Sequence, residues 1–157
     1  FCAGEEDDVL QFGLTPAVSR LEELQRLARA SHGRQLRRPV AVHLKLDTGM
    51  GRLGLPLAQL KAFAEGTRAL ENVEVEGVFS HMASSEVLDA EDARQQTLRF
   101  RQAVETLKTH GLKPALRHLA NSAAIAARPD TWHNFVRPGL ALYGIPMPLR
   151  GGPSTSL

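Results

Sequence analysis

Apolar and polar residues alternate most cleanly between Val40 and Asp47. Val40, Val42, Leu44 and Leu46 fall on one side, and Ala41, His43, Lys45 and Asp47 on the other. This period of two predicts a β-strand over 40–46 with one apolar face and one unusually polar face. Shorter stretches predict further strands at 14–18, 73–80, 116–121 and 135–143. Between them the period lengthens to that of a helix. Leu21, Leu24, Leu27 and Ala28 share one helical face, and the helix that carries them is predicted to start at Ser19 with a capping box, Ser19-x-x-Glu22, and to stop at Gly33. Pro56 suits the first turn of the next helix, whose stripe is Leu57, Leu60, Phe63 and Ala64. The longest helix is predicted over 90–109, capped by Asp89 and lined by Ala93, Thr97, Phe100, Val104 and Leu107. A short helix at 5–12 opens the chain. Another is capped by Ser122 and ended by Pro129. Residues 144–157, rich in proline and glycine, read as a linker or frayed tail.

Strand and helix therefore alternate with no hairpin signal, which implies parallel strands joined by helical crossovers. An open doubly wound sheet and part of a (β/α)8 barrel both fit. With 157 residues the chain is too short for a complete barrel, which takes about 250. Both architectures bind ligands at the C-terminal ends of their strands. Arg52, His81, Asn121, Ser122 and Gly139 fall at or near those ends, and Arg137 slightly inside.

Composition narrows the classes of function. A hydrophobic share of 43% is enough for a core. The sequence pI is about 9.0. Even so, 19 Lys and Arg against 17 Asp and Glu, with little clustering and few aromatics, do not make a nucleic-acid surface. The single cysteine, Cys2, excludes an internal disulfide and suits a reducing compartment such as the cytoplasm. No apolar run approaches the ~20 residues of a membrane span.

Three stretches carry candidate chemistry. The strand at 40–46 runs into Asp47-Thr48-Gly49-Met50-Gly51-Arg52-Leu53-Gly54, a glycine-rich loop around an arginine, whose planar fork suits a carboxylate or phosphate. In a sheet covered by helices, Lys45 needs a counter-charge or a chemical modification, because an unpaired buried ammonium is costly. The second stretch is His118-Leu119-Ala120-Asn121-Ser122, where a strand gives way to a helix N-terminus able to receive an anion. In the third, Val136-Arg137-Pro138-Gly139-Leu140, small residues beside Arg137 leave room for a ligand.

LKLDTGMGRLG resembles the corresponding stretch of alanine racemases, the pyridoxal-phosphate enzymes that interconvert L- and D-alanine. HLANSAA and VRPGLALYG resemble that family too, and GVFSHMASS is similar to its histidine-bearing stretch. The resemblance implies a partial (β/α)8 barrel, roughly strands four to eight, over 1–143, with 144–157 leading toward a C-terminal β-domain. It implies pyridoxal 5'-phosphate as cofactor, alanine as substrate, and a cytoplasmic homodimer that supplies D-alanine for peptidoglycan. Ser122, Gly139 and Leu140 are then expected to hold the phosphate, with Asn121 in support. The same resemblance implies that Arg137 faces the pyridine nitrogen and that Arg52 orients the phenolic oxygen and the substrate carboxylate region. It also implies that His81 flanks the cofactor and supports a catalytic tyrosine. Lys45 matches a lysine often carried as a carbamate. That reading, or an ion pair, ranks above Lys45 as the Schiff-base lysine, although Lys61, Lys108 and Lys113 all lie on helices or their flanks.

Racemisation needs two opposed acid/base groups. The family's first-strand lysine motif, similar to KANAYGHG, does not occur here. The only tyrosine, Tyr143, belongs to the LYG of the last predicted strand. This polypeptide alone is therefore expected to be inactive. Rival readings are a broad-specificity or serine racemase of the same barrel family, a non-catalytic cofactor-binding module, and an unrelated phosphate-binding doubly wound domain.

Overall fold

Strand β2 (Val40–Asp47) lies in the middle of a parallel sheet, and the rest of the chain winds around it. The computed structural model describes residues 1–151. The other strands are β1 (Ala17–Val18), β3 (Leu55–Pro56), β4 (Val73–Phe79) and β5 (Leu116–His118). The helices are α1 (Glu6–Gln11), α2 (Leu21–Ser31), α3 (Leu60–Thr67), α4 (Glu91–Thr109) and α5 (Ser122–Ala127). Every strand pairing is parallel, in the order β1-β2-β4-β5, with β3 paired to the end of β2.

The predicted apolar face of β2 is buried. Val42 and Leu44 are fully covered, and Leu46 nearly so. They pack with Val75 and Val78 of β4 against Leu24 and Leu27 of α2, Phe63 of α3, and Phe100 and Leu107 of α4. Consecutive helices lie side by side over this one face. The order of the strands never reverses, and the opposite face of the sheet carries His43, Lys45 and Phe79. A doubly wound sheet reverses its order and covers both faces with helices. The described residues therefore form an arc of a (β/α) barrel wall, with helices outside and polar groups inside.

Several expected boundaries shift. The strand at 14–18 shortens to Ala17–Val18. The carboxylate that closes the start of α2 belongs to Glu23, not Glu22. It accepts from the backbone N–H of Ser19 at 2.6 Å and of Arg20 at 3.2 Å. Pro56 ends β3 instead of opening a helix, and a 3-10 turn at Leu57–Gln59 leads into α3. Asp89 does not cap α4, because Ala90 occupies that position. Asn121, not Ser122, caps α5, its side-chain oxygen accepting from Ala124 N at 3.1 Å.

The largest correction concerns 135–143, which forms no strand. Arg137 N donates to Ala120 O at 3.0 Å, a single ladder-like bond beyond β5. Pro138 then has no N–H to offer, and Gly139, at φ 41°, turns the chain into a 3-10 helix over Gly139–Tyr143. The expected frayed tail is tied back as far as Arg150, which bridges Val87. Arg150 N donates to Glu86 O at 2.9 Å, and Leu88 N to Arg150 O at 3.1 Å. The remainder of the 144–157 reading, residues 152–157, lies outside the described residues.

Candidate functional site at the strand ends

The loop after β2 is organised by one carboxylate. Asp47 Oδ1 accepts from the backbone N–H of Gly49, Met50 and Gly51 at 2.9, 3.0 and 3.1 Å. Burial pushes the Asp47 carboxyl up, but these N–H groups outweigh it and hold it below the usual carboxylate range. Its charge thus serves the loop, and Arg52 projects from that loop into solvent.

On the inner face of the sheet the side chains stack. Phe79 lies parallel to the His118 ring, with centroids 4.8 Å apart. Lys45 Nζ is 5.7 Å from the centre of the Phe79 ring and Arg137 Cζ is 5.3 Å from it. Both cations thus lean on one aromatic ring. A shift in the β2–β4 register between Val42 and His43 makes this possible. It breaks the alternation of β4, so that Gly77 lies opposite His43. A side chain at Gly77 would have its Cβ 2.7 Å from the His43 ring, so only glycine leaves room for that imidazole.

The histidines form a directed chain. Arg137 Nη1 donates to His118 Nδ1 at 2.8 Å, because a guanidinium can only donate. Burial first, then the charges of Arg137 and His43, push the His118 imidazole down to about 3. It is therefore neutral, with its proton on Nε2, and donates to His43 Nδ1 at 2.8 Å. His43 Nε2 in turn faces Glu76 Oε2 at 3.8 Å.

Arg137 is held through both terminal nitrogens. Nη1 also reaches His118 O at 3.1 Å, while Nη2 donates to Ser80 O at 2.8 Å and Leu119 O at 3.3 Å. Among the described residues Nε–H has no protein acceptor. Arg137 lines a recess of about 310 Å³ together with His81, Asn121, Ser122, Gly139, Leu140 and Met147. Ser122 ties its two loops together, donating from Oγ to Pro138 O and accepting from Ala141 N at 3.2 Å. A Cβ at Gly139 would stand in contact with Ser122 Oγ, at 3.4 Å, so glycine leaves the space beside that hydroxyl free. A larger groove of about 420 Å³ beside α2, lined by Gln25, Arg29, His32 and Glu71 among others, carries no comparable set of groups.

Six of the expected residues, His81, Asn121, Ser122, Arg137, Gly139 and Leu140, thus share one recess. Lys45 and Arg52 do not line it, yet their charges are felt there. Burial, then Arg137, Arg52 and Lys45, lower the His81 imidazole below its usual value. Burial, then Arg52 and Arg137, lower the Lys45 ammonium against the pull of Asp47. His118, Phe79 and Gly77 were missed by pattern reading. His118 could have been found, since it lies inside the HLANSAA motif.

Fold and site together define a parallel barrel wall whose strand ends form a basic mouth. The sequence pattern of the family described as alanine racemase, N-terminal domain, matches residues 1–147. The chain belongs to the alanine racemase family. An alanine racemase of Geobacter sp. (strain M21) is 40% identical over 144 residues, which cover 90% of this chain and 38% of that protein. The structure of the alanine racemase from Streptomyces coelicolor A3(2) matches at a TM-score of 0.80 and 32% identity, covering 92% of this chain and 38% of that one. That of the Bartonella henselae enzyme with covalently bound pyridoxal phosphate matches at a TM-score of 0.79 and 26% identity, covering 98% and 42%. The chain thus spans about two fifths of the length of these relatives.

Proposed function

We propose that the chain forms the cofactor-holding wall of an enzyme that interconverts L- and D-alanine with pyridoxal 5'-phosphate. One observation carries this reading: Arg137, His81 and two loops tied by Ser122 converge on one recess. The residues fit the group, because Gly139 carries no side chain against Ser122 Oγ and so leaves the recess beside that hydroxyl open. Ser122 Oγ, its proton turned from Pro138 O to the ligand, and the backbone N–H groups of Gly139 and Leu140 would hold the phosphate, with Asn121 fixing the turn beneath. The bound cofactor would supply an electron sink that acidifies the α-hydrogen of an amino acid.

The protein's own groups do the rest. The Nη atoms of Arg137 are occupied, so Nε–H would be the donor left for the ring nitrogen. A guanidinium gives up no proton, so it would donate a hydrogen bond there and leave that nitrogen unprotonated. Arg52, on the rim, would orient the phenolic oxygen and the substrate carboxylate. Neutral His81 would support the proton-carrying tyrosine of the full-length protein. In the full-length protein, residues 1–143 serve as barrel and 144–157 lead onward, within a cytoplasmic homodimer that provides D-alanine for the cell wall. The exposure of Leu142, Tyr143 and Ile145 supports a covering surface at that end.

The test is reconstitution of the full-length protein with nitrogen-15-labelled cofactor. The ring nitrogen should resonate as unprotonated, and alanine enantiomers should interconvert. A protonated ring, or no turnover, ends the reading. The 157-residue chain alone should give no interconversion above background, because racemisation needs two opposed acid/base groups and Tyr143 is exposed to solvent.

Lys45 adds a separate expectation. No carboxylate lies in ion-pair range of its ammonium among the described residues, and burial, then Arg52 and Arg137, lower its proton affinity. We propose a carbamate here. The neutral amine adds carbon dioxide, an N–C bond forms, one proton leaves to solvent, and the resulting anion faces Arg52. Carbon-13 bicarbonate should produce a carbamate resonance that Lys45→Arg abolishes. A spectrum without that signal would reject the assignment.

A further inference from the structure

Gln96 sits on α4, outside the barrel, and is only 1% exposed. A buried amide is costly unless its groups are paired. Those of Gln96 are paired, and all its partners lie in the two loops that carry Arg52 and His81. Oε1 accepts from Ala83 N at 2.8 Å. Nε2 donates to His81 O at 3.0 Å and to Thr48 Oγ1 at 3.2 Å. The amide cannot be flipped, since that would set oxygen against the His81 carbonyl and nitrogen against the Ala83 N–H.

The bonding continues in one direction. Ser80 Oγ donates to Leu46 O at 2.8 Å, so the 2.8 Å contact between Thr48 Oγ1 and Ser80 Oγ must be donated by Thr48. Gln96, Thr48 and Ser80 therefore form a closed line from the outer helix to the ends of β2 and β4. The carbonyl of Ser80 also receives Arg137 Nη2. A Cβ at Gly49 would meet Gln96 Cγ at 3.3 Å and Arg99 Nη1 at 3.1 Å, so the loop after β2 is pressed against α4.

We propose that Gln96 is the positioning residue of the site: through Thr48, Ser80 and the His81 backbone it sets the spacing between the Arg52 loop, His81 and Arg137. It touches no ligand. The inference deepens the cofactor reading and rests on it for its binding consequence, but its effect on His81 is independent of that reading. Misplacing such groups by about 1 Å is enough to cost a site most of its function.

The test uses the full-length protein with Gln96→Met, which keeps the length of the side chain but removes both polar groups. The first readout is the His81 imidazole titration by NMR, assigned with a His81→Asn variant. The groups that face His81 are Lys45, Arg52 and Arg137. If Gln96 sets the spacing, the His81 midpoint rises toward the ordinary imidazole value while His118, held from the other side, stays low. The second readout is cofactor affinity, expected to fall about tenfold, the scale of one or two net hydrogen bonds. A lower melting temperature with both the His81 titration and the cofactor affinity unchanged would show a merely structural amide and overturn the proposal. A His81 shift on Gln96→Met, together with a wild-type protein that binds no cofactor, would keep the positioning role and reject the cofactor reading. Should Gln96→Met fail to fold, Thr48→Val cuts the same line while keeping the side-chain shape, and the same two readouts decide.

Discussion

A Gly54→Ala protein should lose more than about 3 kcal/mol of stability, a large part of the 5–15 kcal/mol usual for a domain. Gly54 has φ +140°, which L side chains rarely adopt. The space is also lacking: a Cβ there would lie 2.5 Å from Asp47 N and from Leu46 C, and 2.8 Å from Leu46 O. All three atoms are backbone of β2, a central strand of the sheet, so nothing flexible can move aside. Relief requires the loop to lift and β3 to leave its pairing with β2, which matches Leu46 with Leu55 and Asp47 with Pro56. Gly51→Ala is the control. Its φ is +69°, and a Cβ would meet nothing within 4 Å, so it should cost about 1 kcal/mol. Denaturant unfolding of the two variants measures the difference, and equal losses would remove the steric explanation.

Stability should also fall steeply in acid, chiefly because of His118. This imidazole is 4% exposed, and its proton affinity drops from the ordinary 6.5 to about 3 on folding. Above pH 6.5 neither the folded nor the unfolded chain protonates it, so its full contribution is present. Below that, the unfolded chain binds a proton that the folded chain refuses. Each pH unit between 6.5 and about 3 then favours unfolding by up to about 1.4 kcal/mol, or roughly 4–5 kcal/mol across the window. His43, His81 and His133 are lowered as well, with burial the first cause in each, and add slopes of the same sign. The informative quantity is the difference in slope between the wild type and His118→Asn. The variant should be less stable at pH 7, where Arg137 loses a ring acceptor, but markedly less sensitive to acid. Parallel pH profiles would mean that His118 takes up a proton in the folded protein after all.

Where an element is made by its own neighbours in sequence, pattern reading reached it. The alternation at 40–46 became β2 with the expected faces. The stripes of Leu24 and Leu27, of Leu60 and Phe63, and of Phe100 and Leu107 became the buried sides of α2, α3 and α4. Six site residues named from three short motifs lie in one recess, because two of those motifs follow the ends of adjacent parallel strands and the third is bonded back to them through Arg137 and Ser122. The failures also share a cause. The stretch 135–143 has the composition of a strand, but Pro138 and the left-handed Gly139 interrupt it after one backbone bond, and a strand forms only where a neighbour can continue the ladder. Ser122 looked like a cap because its hydroxyl is of the right kind, yet that hydroxyl is engaged with Pro138 and Ala141 across the recess.

By itself the sequence determined the main strands and helices up to α5, their parallel sense, the buried stripes and the motif-bearing loops, all set by periodicity and residue type over a few turns. Only the tertiary structure decided how the barrel wall works as a site. It supplied the register shift that opens space for His43, the one-way chain from Arg137 to His43, and the pin from Gln96 into two loops. These are contacts between residues as far as 75 positions apart, such as His43 and His118. Hydrogen bonds act over about 3 Å of space regardless of how much chain lies between the partners. Periodicity reports only what lies within a turn or two.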